Sequence, residues 1–244
     1  MQVYVKITTN KYMIKTKLVV FTGAGISAES GIKTFRDAGG LWEEHRVEDV
    51  ASAEGWHRNP ELVLNFYNAR RKQLIEAEPN EAHRLIVKLE EKYDVNVVTQ
   101  NVDNLHERAG STKVLHLHGE LMKVRSTKDE NLIYNVVDIS KNGIDINFGD
   151  RCELGSILRP HIVFFGEAVP NMVAAIKLVT DAKMFCIIGT SLAVYPAASL
   201  LNYAPVDTKI YLVDPNPPQN ISSNIYLITE KATTGVTKLL ELIG

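Results

Sequence analysis

Short polar or glycine-containing segments follow several apolar runs of this sequence, and they hold the residues best suited to binding or catalysis. Because ligands of open parallel sheets bind beyond the carboxyl ends of the strands, we expect these segments to meet at one sheet edge. Their convergence is stronger evidence for a site than any one of them alone. The segments are Thr22-Gly23-Ala24-Gly25, Gln100-Asn101-Val102-Asp103, His118-Gly119, Gly189-Thr190-Ser191 and Asp214-Pro215-Asn216.

The segment from Gly23 to Ala28 fits the G-x-G-x-x-A pattern of dinucleotide-binding proteins. Glycines there let a pyrophosphate approach the backbone at a helix N-terminus, where free N–H groups attract anions. Glycine turns after strands are also common without a ligand, so the pattern alone leaves binding open. A dehydrogenase would carry an acidic residue about 20 residues later, at the end of a second strand. Glu43 and Glu44 lie there with no strand before them, which keeps NAD as a candidate ligand but disfavours hydride transfer.

Two histidines, His116 and His118, alternate with apolar residues in one short predicted strand. A histidine inside a strand usually has a structural role, and this interpretation stays open for His116. His118 is the last residue of the strand and is followed by Gly119, so we predict it as the general base. The sequence contains neither an H-E-x-x-H motif nor the residue order of a Ser–His–Asp triad.

An arginine interrupts an apolar stripe on a predicted helix over residues 60–75. Val63, Tyr67, Arg70 and Leu74 follow the spacing i, i+4, i+7 and i+11, which places them on one helix face. A guanidinium among apolar residues is costly unless it finds an anion or reaches solvent. Arg70 could therefore form a salt bridge, extend to water, or bind an acidic ligand with Tyr67 as a neighbouring donor.

The elements that position these residues alternate between strands and helices, which predicts an α/β fold with a Rossmann-like, doubly wound parallel sheet. The predicted strands are Lys17–Phe21, Val95–Thr99, Val114–His118, Ile162–Phe165, Met184–Ile188, Lys209–Asp214 and Asn224–Ile228. Helices are predicted over residues 60–75, 80–92, 102–109 and 233–243, with Gly110 as a C-cap.

Two stretches interrupt this alternation and predict a small domain built from two insertions. Residues 38–78 are mainly helical, and residues 120–160 are polar and irregular. The NAD-binding domain would then comprise residues 13–37, 79–119 and 161–244. Residues 1–12 alternate weakly, and they could form an added edge strand or precede a domain that starts at Met13.

Composition excludes several classes of protein. The chain has 244 residues, 45% of them hydrophobic, with 27 Lys and Arg against 29 Asp and Glu. This balance gives no basic surplus for nucleic acid or anionic membranes, and no apolar run is long enough to span a membrane. Two cysteines, Cys152 and Cys186, cannot form a disulfide framework or a four-cysteine metal site. We therefore expect a cytoplasmic protein, and a monomer.

Seven motifs occur in an order that resembles the sirtuins, the NAD-dependent protein-lysine deacylases, and the resemblance runs from about Leu18 to the C-terminus. The motifs are Gly23-Ala24-Gly25-Ile26-Ser27, Gly31-Ile32-Lys33-Thr34-Phe35-Arg36, Thr99-Gln100-Asn101-Val102-Asp103-Asn104-Leu105-His106, His118-Gly119-Glu120-Leu121, Arg159-Pro160, Phe165-Gly166-Glu167 and Gly189-Thr190-Ser191.

The resemblance implies that NAD and an acyl-lysine meet in a cleft, with nicotinamide, free lysine and O-acyl-ADP-ribose as products. It implies that His118 is the catalytic base and that Asn101 and Asp103 line the nicotinamide pocket. The other implied NAD-binding residues are Gly23, Ala24, Gly25, Phe35, Arg36, Gln100, Gly189, Thr190, Ser191, Asp214, Asn216 and Ala232. The family usually has Asn at the position of Asp214.

The substrate would be an acyl-lysine protein or peptide, which the resemblance implies is bound as an added strand between the segments around Gly166-Glu167 and Leu192–Val194. Val163 and Phe165 would border the acyl-lysine tunnel. Tyr67 and Arg70, together with the small Ala38, resemble the sirtuins that also remove succinyl and malonyl groups. The resemblance thus favours acid binding by Arg70, because a guanidinium can hold a carboxylate with two bonds.

One part of the family pattern is missing. Sirtuins typically carry two C-x-x-C pairs between the catalytic histidine and the Arg-Pro motif. Here Ser126 stands at the first of these positions, and only Cys152 of the second pair remains, with Gly155 at its partner's place. We therefore predict no structural zinc. Two other functions stay open, a mono-ADP-ribosyltransferase and a non-catalytic NAD-binding sensor.

Overall fold

The computed structural model describes residues 15–32, 45–219 and 221–244. Within these ranges the strands are β1 (Lys17–Thr22), β2 (Asp94–Thr99), β3 (Val114–His116), β4 (Gly119–Ser126), β5 (Ile133–Asn135), β6 (Leu158–Ile162), β7 (Met184–Ile188), β8 (Lys209–Val213) and β9 (Ile225–Ile228).

The helices of the same ranges surround these strands. They are α1 (Gly25–Ala28), α2 (Val47–Val50), α3 (Ala53–Arg58), α4 (Pro60–Glu76), α5 (Glu81–Leu89), α6 (Leu105–Ala109), α7 (Val136–Ile139), α8 (Met172–Thr180), a 3₁₀ helix (Ala197–Tyr203) and α9 (Ala232–Ile243). No helix in the described part of the chain is both long and apolar enough to cross a membrane.

Six of the described strands form a parallel sheet in the order β3-β2-β1-β7-β8-β9. The chain moves outward from β1 through β2 to β3, and later outward from β7 to β9 on the other side. The strand order therefore reverses between β1 and β7, where doubly wound folds open a crevice for ligands. Thr22 of β1 pairs with both Thr99 and Ile188, so the three central strands end level with one another. The predicted fold class is confirmed.

The central strands are continuous apolar runs because helices cover both faces of the sheet. Leu18 and Val20 of β1 point toward α5 and α9, whereas Val19 and Phe21 point toward α8 and the 3₁₀ helix. Alternate residues of one strand thus enter two separate cores. The double burial fixes the register of β1, and with it the positions of the residues that follow each strand end.

A second, antiparallel sheet in the order β5-β4-β6 packs with α2, α3 and α4 around a third apolar core. Two sequence predictions were wrong here. The predicted strand Ile162–Phe165 does not join the parallel sheet, because β7 pairs directly with β1 and Phe164 packs in this third core. Residues 120–160 are not irregular throughout, since β4 runs to Ser126 with mixed buried and half-buried residues.

The long helix α4 and the sheet of this module are joined by a fully buried arginine. Arg71 donates from Nε to the carbonyl of Ile144 at 2.9 Å and from Nη2 to Asn68 Oδ1 at 2.6 Å. Asn68 in turn donates to the carbonyl of Ile146 and accepts from its N–H. Arg71 also donates from Nη1 to the carbonyl of Leu121 in β4 at 3.4 Å, so the clamp, formed by Asn68 and Arg71, connects α4 both to β4 and to a loop of the second insertion. The clamp therefore fixes the two insertions to each other.

The predicted helices are present, with some different ends. The helix predicted over 60–75 spans Pro60–Glu76, and the last one begins at Ala232. The helix predicted from 102 begins only at Leu105, because the carboxylate of Asp103 accepts the Leu105 N–H at 3.1 Å and so caps the turn before it. Gly110 ends that helix in a left-handed conformation, as predicted.

Candidate active site

The loops that follow β1 and β7 touch each other at the point where the strand order reverses. The N–H of Gly25 donates to the carbonyl of Gly189 at 2.8 Å. Gly189 has a φ of +63°, and a Cβ placed on it would lie 2.4 Å from the backbone nitrogen of Ile26. A side chain at Gly189 would therefore push the two loops apart. The absence of side chains at Gly25 and Gly189 thus lets the backbones of the two loops come into direct contact.

A buried polar cluster lies beside this contact. The side-chain amide of Asn101 donates to the carbonyl of Gly23 at 3.2 Å and to Ser27 Oγ at 3.1 Å. The hydroxyl of Ser27 donates to Asp103 Oδ2 at 2.9 Å. Burial raises the pKa of the Asp103 carboxyl, against the hydrogen bonds from Leu105 and Ser27. The loop after β2 is thus held to the loop after β1 through side chains that lie in the interior.

Beneath the cluster, hydroxyl groups connect the strand ends to a buried histidine. Thr22 Oγ1 lies 2.9 Å from Thr99 Oγ1 and 3.0 Å from Nε2 of His106. Thr99 Oγ1 accepts the N–H of Asn101 at 3.0 Å. Burial lowers the pKa of His106 well below its ordinary value, so this ring is neutral. The network fixes the backbone at Asn101 from below.

His118 lies at the mouth of the same edge and is half-buried. Its Nδ1 is 2.9 Å from the carbonyl oxygen of Gln100. Because a carbonyl can only accept, Nδ1 carries the proton and Nε2 keeps its lone pair. Burial lowers the pKa of His118, although the bond to Gln100 acts in the opposite direction. A neutral imidazole with a fixed tautomer and an available Nε2 is what a general base requires.

The side chain of Gln100 connects this histidine to the loop after β7. Its Nε2 donates to Thr190 Oγ1 at 2.9 Å. At the next strand, Asp214 is buried and its Oδ1 accepts the N–H of Asn216 at 2.8 Å, while Asn216 itself is exposed. Ala232 is buried at the start of α9. The strand-end residues predicted from the sequence therefore all lie at the carboxyl edge.

Tyr67 and Arg70 lie on α4, which belongs to the small module. Tyr67 is buried, packs edge-on against Phe66, and has a pKa raised by burial well above the usual range. Arg70 is half-buried, and its guanidinium lies 5.9 Å from the centre of the Phe66 ring. Burial lowers the pKa of Arg70, whereas the negative charge of Asp103 raises it. Arg70 therefore interacts electrostatically with Asp103 of the polar cluster.

The segment Val163–Glu167 runs from the small sheet toward His118. The N–H of Val163 donates to the carbonyl of His118 at 2.9 Å, and Phe165 is 51% exposed. The Glu167 carboxylate accepts two bonds from Arg159, at 2.7 and 3.2 Å, and one from the N–H of Phe164. The hydrogen bonds of Glu167 thus fix the conformation of this segment, in which Gly166 is exposed at the surface.

Comparison with known proteins identifies the family. A sequence model of the Sir2 family matches residues 23–196. The chain belongs to the Sir2 family. An NAD-dependent protein deacylase of Bacteroides thetaiotaomicron is 52% identical over 227 residues, which cover 93% of this chain and 97% of that protein. One of Helicobacter pylori is 54% identical over 224 residues, covering 91% of this chain and 95% of its own length.

Solved structures of Sir2 proteins have the same fold. A Sir2 homologue in complex with NAD superposes with a TM-score of 0.81 at 37% identity, covering 93% of this chain and 88% of that structure. A Sir2 histidine mutant bound to a p53 peptide and NAD gives a TM-score of 0.77 at 32% identity, with 94% of each chain covered. These likenesses support the Rossmann-like sheet and the small module together.

Ser126 and Cys152, two positions where the Sir2 pattern has cysteines, lie next to each other. The Cys152 sulfur is 3.4 Å from Ser126 Oγ and 3.1 Å from Ser156 Oγ, and the two hydroxyls are 2.8 Å apart. The hydrogen bonds with Ser126 and Ser156 lower the pKa of the Cys152 thiol to about 7. Among the described residues, no group of three or more His, Cys, Asp or Glu is arranged to hold a metal ion. One thiol and two hydroxyls do not provide the ligands that structural zinc requires.

Three of the predicted site residues, Phe35, Arg36 and Ala38, lie outside the described residues. Two others were missed by sequence reasoning. Ser27 belongs to the glycine motif, and its hydroxyl could have been predicted to reach a carboxylate across the turn. The role of Arg71 has no comparable signal, because the sequence shows only two adjacent arginines on one helix and does not reveal which of them is buried.

Proposed function

We propose that this Sir2 protein is an NAD-dependent protein-lysine deacylase that transfers an acyl group from lysine to ADP-ribose. The observation that carries the proposal is the state of His118, which is neutral and keeps its Nε2 lone pair at the edge where Asn101 and Asp103 cluster. The relatives from Bacteroides and Helicobacter are named NAD-dependent protein deacylases. Their high coverage supports the same activity here.

The residues at the carboxyl edge fit NAD by the chemistry of their side chains. Asn101 and Asp103 are buried and held in fixed positions, so they can bind the carboxamide of nicotinamide without reorganising. Gln100 and Thr190 are tied together and can bind ribose hydroxyls. NAD, when bound, supplies a ribose carbon that nicotinamide leaves and a hydroxyl that accepts the acyl group. His118 takes the proton of a ribose hydroxyl at Nε2.

The protein substrate is proposed to bind as an added strand beside Gly166. The exposed Phe165 and the nearby Val163 would border the acyl chain, and Glu167 keeps the segment in place through Arg159. Main-chain bonds of this kind tolerate many side chains, so the substrate is defined by its acyl-lysine rather than by its sequence. The Sir2 complex with a p53 peptide supports peptide binding by this family.

Succinyl and malonyl groups are proposed as further substrates, on the evidence of Tyr67 and Arg70. Both side chains lie within the module that faces the polar cluster, and Arg70 responds to the charge of Asp103. A guanidinium in a poorly solvated place binds a carboxylate strongly, because hydrogen bonds to charged groups contribute about 1.5–3 kcal/mol. A terminal carboxylate on the acyl chain would therefore add to affinity.

A metal-free small module is the last part of the proposal. Here the module is taken to comprise residues 38–78 and 120–160, as predicted. Ser126 and Cys152, which stand at two of the family's cysteine positions, form a hydrogen-bonded group with Ser156, and the clamp of Asn68 and Arg71 joins the two insertions. These interactions provide connections that zinc would otherwise provide.

Turnover with paired peptides tests both the activity and the acyl preference. One lysine peptide carries acetyl and its twin carries succinyl, and nicotinamide release is measured with each. Arg70→Met should reduce desuccinylation about 10- to 100-fold more than deacetylation, since it removes hydrogen bonds to a charge. Lys72→Met, an exposed change two residues further along α4, is the matched control. Equal losses on both peptides would refute the role of Arg70.

Mass spectrometry of the peptide and the protein after the same reactions separates the alternatives. A mono-ADP-ribosyltransferase would leave the acyl group on the peptide and attach ADP-ribose to a protein. A sensor would bind NAD without releasing nicotinamide. Deacylation that depends on NAD supports the proposal, and either of the other two results would contradict it.

A further inference from the structure

His116 is a buried histidine that the proposed reaction does not use. It ends β3 two residues before His118 and is 7% exposed. Its Nδ1 lies 2.9 Å from the backbone carbonyl oxygen of Asn101, and its Nε2 lies 2.7 Å from Oε1 of Glu107 on α6. The ring therefore connects the loop after β2, which holds Asn101, to the partly exposed carboxylate of Glu107.

Both neighbours of the His116 ring are hydrogen-bond acceptors. A carbonyl oxygen and a carboxylate can each be satisfied only if both ring nitrogens carry a proton, so the geometry requires the imidazolium. A neutral ring has one N–H, and the charged carboxylate of Glu107 attracts it more strongly than a carbonyl does. Loss of a proton would therefore leave the lone pair of Nδ1 facing the carbonyl of Asn101.

The charges around His116 favour the same state. Burial lowers its pKa, but the bond to Glu107, the charge of Glu107, the carbonyl of Asn101 and the charge of Glu120 on β4 together raise it above the ordinary value. Asp103, in the loop before α6, adds a further carboxyl nearby. His106 of α6 is neutral and so brings no opposing charge.

His118 is held by the same kind of bond in the opposite charge state. Its Nδ1 donates to the carbonyl of Gln100, as that of His116 donates to the carbonyl of Asn101. Burial lowers the pKa of His118, and Gln100 raises it too little to restore the ordinary value. Two histidines thus hold two successive carbonyls, one as a neutral ring and one as a cation.

We propose that His116 and Glu107 are a positioning pair that holds the backbone of Asn101 for NAD binding, and that the pair works only while His116 is protonated. The inference rests on the proposed deacylase function. It assigns the two limbs of the pH profile: activity falls at low pH when His118 gains a proton, and falls at high pH when His116 loses one.

The test is the pH dependence of kcat/KM for NAD, measured with acetyl-peptide at saturation. Glu107→Gln should move the alkaline limb about one pH unit lower and leave the acid limb unchanged, since it removes the charge that holds the proton. His116→Asn keeps an amide N–H near the position of Nδ1 but cannot titrate, so it should retain activity and lose the alkaline limb. Glu91→Gln, an exposed change on the chain after α5, is the charge control.

His116→Leu removes the donor altogether. It should raise KM for NAD about 10-fold at pH values below the alkaline limb, the effect of one lost hydrogen bond, while KM for the peptide stays the same. A general structural defect would change both constants. An alkaline limb that is unchanged in His116→Asn, or a KM for NAD that is unchanged in His116→Leu, would overturn the proposal.

A second measurement does not depend on turnover. Long-range ¹H–¹⁵N spectra of the imidazole rings should show both nitrogens of His116 protonated at pH 7 and only one nitrogen of His118 protonated. The Kd for NAD should weaken above the His116 transition. These readings separate failure of the pair from failure of the deacylase function, because they hold even if no peptide is deacylated. A neutral His116 ring at pH 7 would overturn the pair directly.

Discussion

The carboxyl edge of the parallel sheet and the core of the small module both contain buried polar side chains, but they use them differently. At the carboxyl edge, the hydrogen bonds fix each side chain and still leave a reactive atom available, as Nε2 of His118 shows. In the module, the Arg71 guanidinium donates to three acceptors, and Ser126, Cys152 and Ser156 bond to one another. The polar groups of the carboxyl edge are positioned for a reaction, whereas those of the small module stabilise its fold.

This difference has consequences for mutation. A change at the carboxyl edge should affect chemistry more than stability, because the sheet beneath it is fixed by two apolar cores. A change in the module's polar contacts should affect stability, because the partners left behind are buried without compensation.

The largest effect is expected at the carboxyl edge. His118→Ala should lower the deacylation rate about 10²- to 10⁴-fold, the usual contribution of a general base, while the Kd for NAD changes little. His57→Ala, an exposed change on α3, should leave the rate unchanged. If His118→Ala reduced the rate less than tenfold, another group would have to be the base.

The next effect is expected in the module. Arg71→Met should lower the free energy of unfolding by on the order of 3 kcal/mol, because it leaves the acceptors of the clamp unsatisfied. The neighbouring Lys72→Met, at an exposed salt bridge with Asp145, should cost less than about 1 kcal/mol. Urea unfolding of both variants measures this difference. Equal stabilities for the two would show that the clamp has no role.

Acid should lower the free energy of unfolding through His83, a histidine of α5 whose ring centre lies 4.9 Å from that of His106. Burial lowers the pKa of His83 to about 4 from an ordinary 6.5, with a smaller effect from Arg84. As the pH falls, His83 of the unfolded chain therefore takes up a proton before His83 of the folded chain does. The free energy of unfolding should fall by about 3 kcal/mol as the pH is lowered from 6.5 toward 4. His83→Gln should flatten this slope, and His57→Gln should not. An unchanged slope in His83→Gln would assign acid sensitivity to other groups.

The smallest effect is expected at Cys152. Cys152→Ser keeps a hydrogen-bonding group beside Ser126 and Ser156, so its Tm should change by no more than about 4 °C, the equivalent of about 1 kcal/mol. Treatment of the parent protein with a zinc chelator should leave Tm unchanged. Stoichiometric zinc in the purified protein, or unfolding by the chelator, would contradict the metal-free module.

The same contrast explains what the sequence could predict. Residues such as Asn101, Asp103 and His118 follow apolar strands. In a parallel sheet the carboxyl ends of the strands lie at one edge, whatever side-chain contacts are made there. Their placement at one edge could therefore be predicted without knowing any contact. The glycine turns were also predictable, although the contact between Gly25 and Gly189 across two loops was not.

The module was harder to predict because its elements carry weak signals. The strand β4 contains charged residues whose stems are half-buried, so its sequence looks irregular. The apolar run Ile162–Phe165 resembles a sheet strand, yet Ile162 and Phe164 enter a separate core that only the folded chain creates. Whether Arg70 or Arg71 is the fully buried arginine depends on the rotation of α4, which the stripe pattern does not determine.

The carboxyl edge is proposed to transfer an acyl group from lysine to ADP-ribose. The most direct test is to incubate the protein with NAD and an acetyl-lysine peptide and to weigh all products by mass spectrometry. We expect equal amounts of nicotinamide, free-lysine peptide and O-acetyl-ADP-ribose, and none of them from His118→Ala above a trace. Nicotinamide formed while the acetyl group stays on the peptide, or acetate released without NAD consumption, would contradict it.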